Sequence, residues 1–599
     1  MRRLWVCIIL YVALQGALAA WRWHLWTFGT DTGTFAQVVA SAFSGFRDGP
    51  EQGTHFRFHW APLLAILYPL IALTRSPLAL QFAQIVLISL SALPLYAVAR
   101  AYVNERSALR YAALALVYPP LAAVAFGEFH EIAFYPVTAL GLFWAADRAR
   151  WGPFALLALA AVMIREEACI VFALTGAAFA TIGFANAGKP EGEGLLVGAP
   201  REPARLAVAG LGLMLAGIGA LYLYFEIIIP HVGAWQPSRF YDYPFAHGPL
   251  ALVIALALHP VYLLALAFRG RFTYVLEAFV PLALLPLRSA WTLLALPGLV
   301  GLLLSSDQIA WRMGSHYAAI WIPWLLLGAI AALVSLQRAR REPVARRWWI
   351  AALACSAIFL IAFNPMHPLH YLRPVYADDA AADAAFALIP TNARVATHDE
   401  WFTRIALVAP QATVFFCPYV DFAVYADDYP SDFFQREIRP EIGRELRNGQ
   451  MRIVAAFGPV KAYARKPDPG ARVGNCITPG DLRYHPLIHL EWQASGETWP
   501  DWRTWLLAAG VTDIDSSHGV RISTFALASQ EAIAGRGVAL GNTSLVGDDL
   551  ATGRLVKPFE LSLKVASDFA YYVVTPKALA DRPLVAAFRT WALAEAGSA

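Results

Sequence analysis

Long apolar runs follow one another from the N-terminus to about Phe363 and then stop. Up to that point charged residues gather in short loops. Beyond it, charges, short strand-like runs and helical repeats alternate. An α-helix needs about 20 apolar residues to cross a bilayer. The pattern therefore predicts a polytopic α-helical membrane domain over 1–365, with about 10–13 spans or re-entrant segments. A soluble α/β region follows, as a small segment over 366–468 and a further module over 469–599. The candidate spans are 4–20, 56–73, 78–99, 111–126, 132–146, 153–184, 206–229, 250–268, 274–304, 317–336 and 348–363. The first follows Arg2 and Arg3 and ends at Trp21-Arg22-Trp23-His24, not at small residues, so it reads as a retained span and not as a cleaved signal.

Arginine sets the expected orientation, because basic loops stay on the cytoplasmic side. Arg338, Arg340, Arg341, Arg346 and Arg347 make the densest basic loop. Arg100, Arg106 and Arg110, then Arg148 with Arg150, the linker 186–205, and Arg269 with Arg271 are placed on the same side. The N-terminus is then cytoplasmic and 366–599 extracytoplasmic. Parity requires the runs 56–73 and 78–99 to make one net crossing together. It also gives 274–304, interrupted by Pro281, Pro286 and Pro297, one net crossing. Irregular backbone at membrane depth must be surrounded by protein or line a cavity, which implies a cavity open to the outer face.

Composition sharpens this picture. The 599 residues are 58% hydrophobic and 15% charged, with mean hydropathy +0.49. Soluble domains run at about 25% charged, so a cytosolic enzyme, a disordered chain and a disulfide scaffold are excluded. The net charge is +4 and only six of the 47 basic residues are lysine. That suits membrane-flanking loops and offers no nucleic-acid surface. Of five cysteines, Cys7, Cys169 and Cys355 lie in apolar runs; Cys417 and Cys476 read as two unrelated thiols, with pairing outside the cell as the alternative. No zinc-ligand spacing occurs.

Ionisable groups nonetheless stand within the spans or at their outer ends: Asp31, His55, His59, Glu128, His130, Glu131, Arg165, Glu166, Glu167, Asp307, Arg312 and His316. Each charge in a span costs about 2.5–3.5 kcal/mol even on the lenient scale. Arg165-Glu166-Glu167 interrupts an otherwise apolar run from Phe154 to Phe184, as a buried or cavity-lining group or as the loop between two short helices. Asp31 sits in Gly29-Thr30-Asp31-Thr32-Gly33, where a turn role is the alternative. Convergence of these groups at one end predicts a polar pocket there.

The order Asp31-x-Gly33-x-Phe35-x-Gln37, Phe58-His59-Trp60-Ala61-Pro62, Glu128-Phe129-His130, Arg165-Glu166-Glu167 and His316-Tyr317 resembles, over about 1–466, the bacterial membrane-protein family catalogued as domain of unknown function 2079. That family is similar to the GT-C glycosyltransferases, which use lipid-phosphate sugars. The resemblance implies Asp31 as general base. It implies His59, Glu128, His130, Arg165, Glu166, Glu167, Arg312, His316 and Tyr317 as groups around sugar or acceptor, with Arg165 or Arg312 facing the leaving phosphate. A polyprenyl-phosphate sugar donor is the implied lipid partner. No cofactor is required, and a divalent cation is left open. The family pattern often has a second acid after the Phe; here that position is Ala36, so Asp31 is the single acid of its loop.

From about Arg472 a second resemblance begins. Leu482-Arg483-Tyr484-His485-Pro486, Trp502-Arg503-Thr504-Trp505, Ala532 to Gly541 and Gly553-Arg554-Leu555 resemble the later half of the LysR-type effector-binding domain over about 470–599. The DNA-binding part and the first half of the effector domain are absent from the sequence. The helix start near Ser523-Thr524 offers backbone N–H groups to an anion. Three function classes follow: a membrane glycosyltransferase, a non-enzymatic transporter or scaffold with acids along a path, and a membrane-attached ligand sensor.

Overall fold

The computed structural model describes residues 1–50, 53–232 and most of 271–465, with scattered residues over 254–269 and 482–590. The candidate span 250–268 lies largely outside the described residues, as do Cys417, Cys476 and Ser523. The chain divides into two compact units, Met1–Lys466 and Pro467–Ala599.

Among the described residues, five helices of the first unit are long and apolar enough to cross a membrane: Arg2–His24 (α1), Leu78–Arg100, Glu166–Ala185, Pro203–Val232 and Glu342–Ala362. The pair Glu105–Val117 and Pro119–Phe126, bent by 52°, makes six when counted as one span. Pro119 and Pro120 cause the bend, since neither has an N–H to continue the ladder. The buried Tyr118 hydroxyl donates to the Ala278 carbonyl at 2.6 Å across the break. The chain is thus a multi-pass membrane protein.

The polar loops sort to two ends. At one, the N-terminal ammonium meets Glu105 at 3.2 Å, Tyr102 bonds Asp147, Asp147 accepts from the Leu196 N–H at 2.9 Å, and Glu193 pairs with Arg338. These are the loops that the arginine pattern groups together. At the other end lie Asp31, His59, His130, Arg165 and His316.

The predicted relation between 56–73 and 78–99 is observed. Pro62–Thr74 is a short apolar helix. The glutamines at the start of Leu78–Leu90 already bond the Gly127 carbonyl at the polar-pocket end. The first run therefore returns to the end it left, and the second crosses.

The segment 274–304 differs from expectation. It forms two short helical stretches, Phe272–Leu282 and Ala290–Leu304, that double back on each other. Ala283 and Leu284 turn the chain at φ 50° and 56°. The Arg271 guanidinium bonds the Leu303 carbonyl and lies 5.1 Å over the Trp311 ring. Arg271 thus belongs to the His316 end, and the segment is a re-entrant hairpin with no net crossing. The arginine rule misplaces it because this guanidinium is engaged by a carbonyl and an indole at the His316 end instead of lying in a cytoplasmic loop.

Small residues let two spans approach closely. A Cβ on Gly176 would stand 2.5 Å from the Met214 N and 2.6 Å from the Gly210 O. Gly183 faces Ala207 at 2.5 Å in the same way. Gly210→Leu is expected to force Glu166–Ala185 and Pro203–Tyr222 apart and to destabilise the chain by about 1–3 kcal/mol. Thermal unfolding in detergent, compared with Gly212→Leu, whose Cβ meets nothing within 4 Å, is the check.

The rest of the first unit is a small α/β layer. Its sheet has the order β1-β2-β4-β3, built from Val395–Thr397 (β1), Phe422–Ala426 (β2), Met451–Phe457 (β3) and Val460–Arg465 (β4). β1 and β2 are parallel, and the other pairs are antiparallel. Burial pushes the His398 imidazole down to about 3, so it stays neutral and accepts from the Ala426 N–H at 3.0 Å. Asp399–Ile405 (α2) follows it.

In the second unit the strands Leu487–Leu490, Val520–Ile522 and Val538–Ala539 form a parallel sheet with the first in the middle. Trp502 and Trp505 pack against Leu482, Leu487 and Leu506 beneath it, and Trp502 donates to the Ile488 carbonyl at 3.0 Å.

Candidate functional site

Asp31 sits in the first turn of a helix over Thr30–Ala40. Glu128 forms the cap of that helix, accepting from the Gly29 N–H at 2.6 Å and the Thr32 N–H at 3.1 Å. Helix starts leave such N–H groups without intrahelical partners, and an acid satisfies both their bonding and their partial charge. Glu128 therefore orients the helix that bears Asp31.

From Asp31 a chain of polar side chains runs inward. His130 Nε2 lies 3.0 Å from Asp31 Oδ2. A carboxylate only accepts, so this nitrogen carries the proton. On the far side of the ring, Nδ1 is 3.8 Å from Glu131 Oε2. Glu131, 1% exposed, pairs with Arg165 Nη1 at 2.9 Å. Arg165 also donates through Nε to Glu167 at 2.7 Å and through Nη2 to His59 Nε2 at 3.0 Å. That bond makes His59 Nε2 an acceptor, so Nδ1 carries the proton and donates to Glu166 at 2.7 Å. Glu166 finally accepts from the Trp60 N–H at 2.8 Å. His316 stacks on His130 with centroids 3.4 Å apart, and Tyr317 underlies the Arg165 guanidinium at 5.2 Å.

Nine groups singled out from the sequence thus meet: Asp31, His59, His130, Glu131, Arg165, Glu166, Glu167, His316 and Tyr317. Their exposure separates them. Arg165 is 2% exposed, whereas the Asp31 side chain is 56% exposed. Asp31 is the most exposed member of the chain, followed by Glu167 at 40%. Arg165 has its donors turned toward Glu131, Glu167 and His59. Arg312 is exposed in the loop before His316 and makes no ion pair among the described residues. His55 is buried against Phe35, ring centroids 5.2 Å apart, with the His59 ring at 5.8 Å.

Three contributors were not visible in the pattern. Gln84 bonds the Val124 and Glu128 carbonyls at 2.9 and 3.0 Å, and its Oε1 accepts from the His130 N–H at 3.0 Å. Gln81 bonds the Ala125 and Gly127 carbonyls at 2.9 and 2.7 Å. Two amides three residues apart in an apolar run are the signal that marks this pair. Asp399 comes from the α/β layer. Desolvation first, and then the charge on Asp31, push its carboxyl above the usual range, while the Thr30 hydroxyl donates to it and works the other way.

His59, Glu166 and Glu167 offer ligand atoms within 4.8 Å of one another. Arg165, bonded to both His59 and Glu167, already supplies positive charge there. A divalent ion at this cluster would have to displace that guanidinium.

Comparison with known proteins fits both units. The LysR substrate binding domain matches residues 458–597; its first residues fall on β4, which pairs with β2 of the first unit. The glycine cleavage system transcriptional activator of Escherichia coli (strain K12) is 38% identical over 121 residues, 20% of this chain and 37% of the activator. The chain spans about a third of the length of the curated relatives it matches. Among solved structures, ArnT from Cupriavidus metallidurans bound to undecaprenyl phosphate is similar over 78% of this chain and 99% of its own, at 14% identity and TM-score 0.43. The oligosaccharyltransferase of Archaeoglobus fulgidus in the apo form is similar over 71% of this chain and 70% of its own, at 12% identity and TM-score 0.35. The predicted membrane protein family DUF2079 matches residues 22–426, about two thirds of the sequence. The chain belongs to that family.

Proposed function

We propose that this protein is a GT-C-type glycosyltransferase that takes a sugar from a polyprenyl phosphate at the outer face of the membrane. The observation that carries the reading is Asp31: an accessible carboxylate, one oxygen held by His130, at the end of a polar chain whose centre, Glu131 with Arg165, is buried. In the transfer step the acceptor hydroxyl gives its proton to Asp31 as its oxygen attacks the anomeric carbon. A carbon–oxygen bond forms there, the bond from that carbon to the phosphate oxygen breaks, and polyprenyl phosphate leaves with the electron pair. The developing charge on the phosphate needs a cationic partner. Arg312, exposed near His316, suits that part better than Arg165, whose donors are engaged. The buried ion pair of Glu131 with Arg165 stands behind His130 and helps to keep Asp31 aimed.

The test supplies the purified chain in vesicles with undecaprenyl-phosphate hexoses and pentoses and measures free undecaprenyl phosphate. Release with one of them supports the reading; retention of every donor with a sugar flux across the vesicle supports the transporter instead. The Arg165 geometry adds an expectation about metal. Chelation with EDTA is expected to leave the release rate within about twofold, because Arg165 neutralises the donor set that a divalent ion would need. A rate abolished by EDTA and restored by Mn²⁺ would reverse that assignment.

A further inference from the structure

The motif Asp31-x-Gly33-x-Phe35-x-Gln37 ends on a residue that the proposed chemistry does not use. On a helix, residues two apart point about 200° away from each other, whereas residues four apart share a face. Asp31 and Phe35 therefore form one face, Gly33 and Gln37 the other. The first face meets the membrane bundle: Asp31 on His130, and Phe35 edge-on to Phe129 and His130 at 5.6 and 5.0 Å.

The second face meets the α/β layer. Gln37 is 3% exposed. Its Nε2 donates to the Ala406 carbonyl at 3.1 Å and lies 3.5 and 3.4 Å from the Ala409 and Ala412 carbonyls. Its Oε1 accepts from the Gly49 N–H at 2.8 Å. Ala406 ends α2 of the α/β layer, where the last carbonyls lack intrahelical partners and carry partial negative charge. A neutral amide donor is suited to that place; a carboxylate would be repelled. Further along the helix, a Cβ on Gly33 would stand 2.7 Å from the Phe402 ring and 2.9 Å from the Thr403 Cα. The Thr403 hydroxyl donates to the Gly29 carbonyl, and Asp399 accepts from Thr30.

We propose that Gln37 is a positioning residue for Asp31, and that the α/β layer is through it a working part of the transfer site. The helix bearing Asp31 is gripped on both faces, and Gln37 closes the grip on the α/β side. The inference rests on Asp31 as the base only for its kinetic consequence; the grip itself is testable without it.

The experiment uses the full chain in detergent. Gln37→Met removes both bonds at nearly constant volume, and Gln37→Lys restores N–H donors to the three carbonyls while losing the bond to Gly49. With Gln37→Met, amide hydrogen exchange over 30–40 and 399–412 is expected to rise about tenfold. The kcat for undecaprenyl phosphate release is expected to fall about tenfold with donor KM within twofold. Gln37→Lys is expected to recover the exchange protection and most of kcat. Unchanged exchange in Gln37→Met overturns the grip. Faster exchange with an unchanged kcat overturns the positioning role. A wild-type chain that releases no lipid overturns the transferase reading instead, and leaves the exchange arm to decide on the grip.

Discussion

Asp31→Asn is expected to lower undecaprenyl phosphate release by roughly 10²–10⁴-fold, the contribution of a positioned general base. Asparagine keeps the size of the side chain, and its carbonyl still accepts from the protonated His130 nitrogen that now sits 3.0 Å from Asp31. The cap that Glu128 makes on the same helix uses backbone N–H groups and is untouched. The substitution therefore removes proton acceptance and little else. Donor KM is expected to stay within about twofold, because the loss falls on the transition state and not on binding. Thermal stability should move by less than about 0.5 kcal/mol, as at other accessible positions. The measurement is a rate with labelled donor in vesicles, alongside a melting curve. A variant that transfers at the wild-type rate removes Asp31 from the chemistry, whatever the melting curve does.

Much of the pocket was readable because charge is expensive in an apolar run. Asp31, Glu128-Phe129-His130 and Arg165-Glu166-Glu167 stand out for that reason, and the structure brings their side chains within bonding distance. Of the two alternatives for Arg165, the structure shows the buried one: Arg165 is 2% exposed at a break after the short helix Trp151–Ala161, and the helix that follows, Glu166–Ala185, is long enough to span and is not a short one. The roles were less readable than the residues. Glu128 caps a helix and Arg165 bonds three internal partners, and neither fact follows from spacing. Gln81 and Gln84 are less legible because an amide carries no charge, and only their three-residue spacing in an apolar helix sets them apart. Asp399 could not be placed at all, because only the docking of the α/β layer brings it to Asp31. The hairpin over 272–304 was misread for a related reason. Orientation by arginine assumes a solvated guanidinium, and Arg271 is bonded within the protein.

Arg165→Met should be the most destabilising single change in the pocket. Arg165 is 2% exposed and pairs with Glu131, itself 1% exposed. Removing one partner of a buried pair strands the other charge in a low-dielectric interior, at a cost of about 3–5 kcal/mol. Glu167 is a milder case, since its side chain is 40% exposed and can turn to water. The loss therefore belongs mainly to Glu131, and that attribution can be separated from simple loss of packing. Glu131→Gln takes away the charge that would be stranded, so the double variant Arg165→Met with Glu131→Gln should recover about half of the lost stability. Arg165→Lys keeps the charge but has no planar fork to reach Glu131, Glu167 and His59 together, and should fall between wild type and Arg165→Met. Unfolding of the full chain in detergent measures all four. A double variant no more stable than Arg165→Met would mean that the stranded Glu131 charge is not the cause, and that Arg165 matters through the volume it fills over the Tyr317 ring.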